Sequence, residues 1–396
     1  MNHLSPKIVK NKKVLVRVDF NVEINDKGEI IDDFRIRRSL KTIEFLKENM
    51  AKRIILISHL GQPTPNDFFK KDFSLEPVAR YLEKILKTKV YFVSFRNFKE
   101  LEEKTQEFKN GELIFLENIR FFKEEEKNDK KFAKKLSELG DIYINEAFSV
   151  SHRQSATIFA ITKFLPSYPG FLLEEEVTKL KGVIDNPQKP MVIILGGSKI
   201  EDKLPLLSNF SEIADYILIG GAIANTILKA FGFEIGNSFY SPSAVEKVKA
   251  ISFKKAELIL PGDLRVLSKE GKVEIRDVSV VKKTDKILDI GPVAAKNYKQ
   301  FIEKAKTIFF NGPMGKIEDK RFTQGTKEVL EGILKNKKAK SVIGGGDTIA
   351  SLKITNSKLQ ITDDKNVFLS TGGGAMLNFL AGQKLPGLAA LNFYSS

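Results

Sequence analysis

Residues 191–199 read Met-Val-Ile-Ile-Leu-Gly-Gly-Ser-Lys. An apolar run without polar alternation suits a β-strand covered on both faces, as in a parallel sheet. Two glycines then turn the chain and a helical pattern follows, which is the βα unit of a doubly wound fold. The unit recurs. Tyr216–Ile219 leads into Gly220-Gly221, Ser341–Ile343 into Gly344–Gly346, and Asn366–Leu369 into Ser370-Thr371 and Gly372–Gly374. Ala256–Leu260, Ile287–Ile290 and Thr307–Phe310 are further strand candidates in this half.

The first half repeats the scheme. Val14–Phe20, Arg53–His59, Val90–Phe95, Leu113–Leu116 and Asp141–Asn145 are short apolar runs. Between them lie helical patterns such as Arg35–Asn49, where Ile36, Leu40, Ile43 and Leu46 share a face, and Glu76–Lys87. Pro166, Pro169 and Gly170 precede a charged helical stretch that Pro187 ends. The expectation is an α/β protein of two doubly wound, parallel-sheet, Rossmann-like domains. The first spans residues 1–170, a connecting helix 171–186, and the second 187–382. Ligands in such sheets sit outside the carboxyl ends of the strands.

Bulk properties narrow the function. The chain has 396 residues, 42% hydrophobic and 29% charged, enough for two cores. There is no cysteine, so no thiolate nucleophile and no disulfide framework. No apolar run approaches a membrane span and Met1–Lys13 has no apolar signal core, so a cytoplasmic enzyme without membrane contact is expected. The formal charge of +15 favours anionic partners. The lysines are scattered, as in Lys70-Lys71, Lys130-Lys131 and Lys134-Lys135, rather than gathered in a stripe. That argues against specific nucleic-acid binding and for small phosphorylated ligands.

The sequence contains no G-x-x-x-x-G-K-[ST], no G-x-G-x-x-G and no H-E-x-x-H. It offers instead polar clusters at strand ends. In the first half these are Arg17-Val18-Asp19-Phe20-Asn21, Ser58-His59-Leu60-Gly61-Gln62, Glu117-Asn118-Ile119-Arg120 and Ser151-His152-Arg153, with Asp32-Asp33-Phe34-Arg35 opening a helix. Arginines meeting at one sheet edge make a pocket for a polyanion. In the second half, Lys199 and Lys203 follow Gly196-Gly197, four apart on what reads as the first turn of a helix, hence on one face. Asn311-Gly312-Pro313-Met314-Gly315 precedes Glu318, and Gly344-Gly345-Gly346 precedes Asp347-Thr348. Asp347 is the Mg²⁺ candidate, since Mg²⁺ takes one or two carboxylates plus phosphate oxygens. It also suits the N-cap of the next helix. Gly372–Gly374 precedes a helix whose bare N–H groups suit phosphate.

Taken in order, R-V-D-F-N, D-D-x-R-I, S-H-L-G, L-E-N-x-R, G-G-x-K with D-K, D-I-G-P, N-G-P-M-G, G-G-G-D-T and S-T-G-G-G-A resemble the phosphoglycerate kinase family over nearly the whole chain. The resemblance implies reversible transfer of a phosphoryl group from 1,3-bisphosphoglycerate to ADP, giving 3-phosphoglycerate and ATP. It implies an active-site cleft between two domains that close about a hinge, a monomer, and return of residues 383–396 to the N-terminal domain. Asp19, Asn21, Arg35, His59, Gln62, Arg120 and Arg153 would line the phosphoglycerate site. Gly197, Lys199, Lys203, Gly221, Asn311, Glu318, Gly345, Gly346, Asp347, Thr348 and Gly372 would line the ADP/ATP site, with Mg²⁺ on Asp347. Arg35, Lys199, Gly373 and Gly374 would neutralise the transferring group.

The chain departs from that family's pattern at some positions. Gln62 stands where an arginine is usual, Glu146 where an aspartate is usual, and Ser149-Val150-Ser151 alters the following turn. Lys316 replaces a small apolar residue. Loss of one phosphate-facing arginine costs about 1.5–3 kcal/mol. Gln62 therefore leaves open a weak catalyst or a kinase for another carboxylate. No general base is required, because the acceptor carboxylate is already ionised at neutral pH.

Overall fold

The computed structural model describes residues 3–64, 67, 70–352 and 365–394. The chain forms two compact units, Met1–Val177 with Lys384–Ser396, and Thr178–Gln383. The division falls inside the helix Phe171–Ile184.

The first unit is built on β1 (Lys13–Arg17), β2 (Arg53–Ile57), β3 (Val90–Val93), β4 (Leu113–Leu116), β5 (Ile142–Asn145) and β6 (Ser167–Pro169). Their order is β3-β4-β2-β1-β5-β6, and every neighbouring pair is parallel. Alternate residues of β1 serve opposite faces. Val14 and Val16 join one core with Ile54, Leu56 and Phe115, while Leu15 joins another with Ile55, Ile57 and Ile114. Two-sided burial is why these strands are unbroken apolar runs, each such side chain contributing about 1.5–3 kcal/mol. The helix Phe34–Glu48 buries Ile36, Ile43 and Leu46 against the first of these cores. Strand β6 has only three residues and was not among the sequence candidates; it sits at the sheet edge, where a proline is tolerated. From the far end of the chain, the Gly387 N–H donates to the Ser151 carbonyl at 2.8 Å, and Leu388 is fully buried.

The second unit holds β7 (Met191–Leu195), β8 (Tyr216–Ile219), β9 (Glu257–Ile259), β13 (Thr307–Asn311), β14 (Lys340–Gly344) and β15 (Val367–Ser370) in the order β15-β14-β13-β7-β8-β9, again all parallel. From β7 the sheet is extended to β8 on one side, and from β13 to β14 on the other. The winding thus reverses between β7 and β13, and ligands bind at the carboxyl ends of such a pair. Those ends carry Gly196-Gly197 and Asn311-Gly312. In the first unit the corresponding reversal lies between β1 and β5, whose ends carry Asp19 and Glu146.

A second sheet departs from the parallel scheme. Strands β10 (Asp263–Leu267), β11 (Val273–Asp277) and β12 (Lys286–Ile290) pair antiparallel in the order β11-β10-β12. The run Ile287–Ile290, read in series with the parallel strands, belongs here. Leu264, Val266 and Ile287 pack with Leu228 and Ile235, while Ile275 of β11 is exposed. One covered face gives these strands the polar alternation that a search for continuous apolar runs passes over.

Candidate active site

In the first unit the site grows from the end of β1. Asp19 is buried there. One of its carboxylate oxygens accepts from Arg35 Nη1 and from the Ser149 hydroxyl; the other accepts from the Asn21 backbone N–H at 3.1 Å. One carboxylate thereby joins the loop after β1, the helix bearing Arg35 and the turn after β5. Burial alone would raise the Asp19 carboxyl, but Arg35 foremost, with Ser149 and the Asn21 amide, holds it below the usual carboxylate range. The Asn21 side-chain oxygen accepts from the Gly61 N–H at 2.8 Å, and Arg120 Nη1 donates to the Gly61 carbonyl at 2.7 Å. The loop carrying Gln62 is fixed through Gly61 from two sides, and Gln62 itself is exposed.

His59 is only 2% exposed. Arg17 Nη2 lies 3.2 Å from its Nδ1. A guanidinium only donates, so Nδ1 is the acceptor and the proton sits on Nε2, which lies 3.8 Å from Asp19 Oδ1. Burial, aided by the surrounding arginines and opposed by Asp19, keeps the imidazole pKa well below its ordinary value. His59 thus orients Asp19 and Arg17 and presents almost no surface of its own.

Arg17, Arg120 and Arg153 line a cavity of about 370 Å³, with Glu125 and Glu126 on its wall. Arg17 is itself buried and donates to Thr157 Oγ1 at 2.9 Å and to the Val18 carbonyl. Burial first, then the fields of Arg17 and Arg153, lowers Arg120 to about 10. Cations crowded in this way are relieved by a bound polyanion. Sequence reading quoted Arg17 but gave it no individual role; its signal is an arginine directly following the apolar run Val14–Val16.

Glu146 also went unassigned beyond its departure from pattern. It is 1% exposed and accepts from Thr42 Oγ1 at 2.6 Å and from the Leu172 N–H at 3.2 Å. Burial pushes its carboxyl up to about 8 against those hydrogen bonds. The neutral acid ties the Arg35 helix to the first turn of Phe171–Ile184.

In the second unit the expected residues gather around two cavities that share Gly197, Ser198 and Asp347. The smaller, about 160 Å³, is lined by Lys199, Lys203, Asn311, Gly345, Gly346, Thr348 and Gly373. The larger, about 500 Å³, has Gly221 and Glu318 on its wall with Leu264, Ile287, Ile290 and Pro313. Gly372 precedes the helix Gly373–Leu380 as its N-cap, its N–H donating to Ser370 Oγ at 3.1 Å; Gly374 is exposed in the first turn. The two cavities suit a nucleotide, an apolar-walled space for the base beside a glycine- and lysine-lined space for phosphates.

Backbone packing explains the glycines at the reversal. Gly221 has φ of +60°, its N–H donates to the Met314 carbonyl at 2.7 Å, and a Cβ there would lie 2.5 Å from the Gly197 nitrogen. Gly312 has φ of +88°, and its Cβ would run into the Gly196 carbonyl. Only glycine lets three strand ends approach so closely. The requirement is spread over separate loops, which is why no single G-x-G-x-x-G carries it.

Two local readings are corrected. Lys199 and Lys203 are not on the first turn of a helix; the helix Leu204–Ile213 begins after both, with Pro205 in its first turn, where proline is tolerated because the N–H has no partner there anyway. Both lysines nevertheless line the same cavity. Asp347 is not the N-cap, which is Gly345; it lies within the first turn of Gly346–Ser351 and is exposed.

Lys203 is 8% exposed, and its ammonium donates to the Gly196 carbonyl. Burial lowers it to about 8, although Asp347 and Asp202 pull the other way. Thr348 Oγ1 accepts from the Gly312 N–H at 2.6 Å, and Asn311 Nδ2 donates to the Gly344 carbonyl at 2.7 Å. These bonds lace the ends of β13 and β14 together. Asp289, unassigned in the sequence, accepts from the Gly325 N–H at 2.8 Å and the Ile290 N–H at 2.9 Å; burial raises it to about 7. Among the described residues no group of three or more His, Asp or Glu forms a metal cage, and none of the described helices is long and apolar enough to cross a membrane. Two exposed carboxylates, Asp202 and Asp347, line the phosphate-sized cavity, and Asp347 there fits Mg²⁺ brought in on phosphate oxygens.

Comparison with known proteins identifies the fold and the family. Residues 4–383 match the model of the phosphoglycerate kinase family. The phosphoglycerate kinase of Coprothermobacter proteolyticus is 43% identical over 97% of this chain and 96% of its own length, and that of Thermosipho africanus is 42% identical with the same coverage. Among solved structures, phosphoglycerate kinase from Coxiella burnetii superposes with a TM-score of 0.84 at 36% identity over 98% of both chains. The enzyme from Pyrococcus horikoshii gives 0.85 at 33%, over 99% of this chain and 98% of that one. With the fold and the matches over nearly the whole chain in accord, the chain belongs to the phosphoglycerate kinase family.

Proposed function

We propose that the chain transfers a phosphoryl group reversibly between 1,3-bisphosphoglycerate and ADP, yielding 3-phosphoglycerate and ATP. The observation that carries the reading is the cavity in which Lys199, Lys203, Asp347 and Gly373 surround one phosphate-sized space at the winding reversal of the second unit. This unit takes the nucleotide. The first takes phosphoglycerate, its phosphate among Arg120, Arg153 and Arg17 and its remaining polar groups toward Asp19, Asn21, Arg35 and Gln62. His59 acts one step back, orienting Asp19. Asn311, Thr348, Gly345 and Gly346 shape the phosphate loops, Gly221 and Glu318 the nucleoside side.

Run toward ATP consumption, the ionised carboxylate of 3-phosphoglycerate attacks the γ-phosphorus and ADP leaves. No proton need be removed from the nucleophile. The work of the protein is alignment and charge neutralisation. Arg35, Lys199 and the amides of Gly373 and Gly374 meet the equatorial oxygens. Mg²⁺, when bound through Asp347 and phosphate oxygens, supplies further positive charge. The chain is read as a cytoplasmic monomer acting on small molecules.

The test is Mg²⁺- and ATP-dependent phosphorylation of 3-phosphoglycerate by purified protein, coupled to NADH oxidation, with Lys199→Ala alongside. Turnover in the parent that is lost in the variant supports the reading. A parent that binds MgADP but turns over only some other carboxylate refutes the acceptor assignment.

A further inference from the structure

Two cations at the larger cavity of the second unit play no part in the phosphate end. Lys286 and Lys316 both line it, and both are exposed. The Lys316 N–H donates to the Leu288 carbonyl at 2.8 Å, Lys286 lies two residues before Leu288 on β12, and Leu288 lines the same cavity as both lysines. Neither ammonium is in a salt bridge among the described residues. The field of Lys316 reaches Asp319, but that carboxylate already engages Arg321 at 2.7 Å. Glu318 stands on the same wall. The phosphate end is marked by Gly197, Ser198 and Asp347, the residues shared with the smaller cavity. The two lysines therefore add positive charge where the nucleoside, not its 5′-phosphates, would lie.

We propose that Lys286 and Lys316 form a second anion subsite that receives a phosphate carried on the ribose ring of a bound nucleotide. The inference rests on the nucleotide reading of this cavity. Two flexible ammonium groups on adjacent backbone segments can close on one phosphate from two directions, each adding a charge-assisted hydrogen bond. The consequence is a preference for adenosine 2′,5′- or 3′,5′-bisphosphate over AMP, which differs only in lacking the ribose phosphate.

The experiment is calorimetric or competition binding of AMP, both bisphosphates and ADP to the parent and to the double variant Lys286→Met with Lys316→Val, whose fold is checked by thermal melting. The expected result is that at least one bisphosphate binds the parent about tenfold or more tightly than AMP, that this advantage shrinks with added salt, and that it falls below about twofold in the variant. Equal affinities in the parent, or an advantage that survives in the folded variant, overturn the subsite while ADP binding leaves the nucleotide reading intact. A parent that binds none of the nucleotides overturns both. Should the double variant not fold, the single variants carry the same comparison, each expected to lose part of the advantage.

Discussion

The guanidinium of Arg35 donates to the carboxylate of Asp19, so the first turn of the helix Phe34–Glu48 is pinned to the end of β1. The pairing holds Arg35 in one direction while leaving its side chain 31% exposed, available to an incoming oxyanion. Arg35→Ala is expected to lower kcat by roughly 100- to 1000-fold, the effect of removing one donor from a developing charge, with little change in KM for ATP. Steady-state kinetics in both substrates decide this, and an unaltered kcat removes Arg35 from the transferring group.

Gln62 sits on a loop that Asn21 and Arg120 fix through Gly61. An arginine at 62 would extend from a backbone already in place. Gln62→Arg should therefore lower KM for 3-phosphoglycerate by about tenfold, as one charge-assisted hydrogen bond implies. A KM that is unchanged or higher would mean that the neighbouring side chains have rebuilt the pocket around glutamine.

Lys203 gives nucleotide binding a pH signature. Free, it titrates near 8 because it is buried; an adjacent phosphate favours the charged form and raises it. Below about pH 7 it is protonated in both states and no proton moves. Above about pH 8 binding must take up a proton, so the Kd for ADP should rise by up to tenfold per pH unit. Calorimetry near pH 9 in two buffers of different ionisation enthalpy reads that uptake directly. A Kd flat from about pH 7 to 9.5 refutes the lysine–phosphate contact, and Lys203→Met should abolish the pH dependence along with most of the affinity.

Stability should fall as the pH rises above neutrality. Glu146 and Asp289 are raised to about 8 and about 7 by burial, whereas in the unfolded chain they ionise near pH 4. Between those limits the folded state keeps protons that the unfolded state has released. Unfolding is therefore favoured by rising pH, by at most about 1.4 kcal/mol per unit for each group. Below about pH 6.5 the buried His59 acts in the opposite sense, because the unfolded chain protonates it and the folded chain does not. Urea midpoints at about pH 7 and 8 should therefore decline, and Glu146→Gln should flatten that slope. A slope that the substitution leaves unchanged would show that Glu146 is ionised in the folded protein.

The parallel core was legible because strands covered on both faces leave unbroken apolar runs, as Met191–Leu195 does. Strands β10 and β11 were not, because Asp263–Leu267 and Val273–Asp277 mix charges into a sheet with one open face. At the site, the residues proposed to meet ligand were legible from their positions just after strands. Those that hold them were not. Glu146 and Asp289 are buried acids, and a sequence gives no sign of whether a charged residue faces water or a backbone N–H. Ser149 was visible only as a departure, yet its hydroxyl completes the coordination of Asp19. The lysine pair shows the limit of periodicity: a helix was expected to bring Lys199 and Lys203 together, and a turn ahead of Leu204 does so instead.

The first unit takes its last residues from Lys384–Ser396, where Gly387 docks on Ser151. During synthesis, then, the whole of Thr178–Gln383 leaves the ribosome before the segment that completes the unit begun first. A nascent chain halted at residue 383 would carry every residue of the second unit, while the first still lacked its buried Leu388. The unit built mostly from earlier residues is completed by a later segment, and until that segment emerges it depends on its own incomplete core, or on chaperones, to avoid exposing apolar surface.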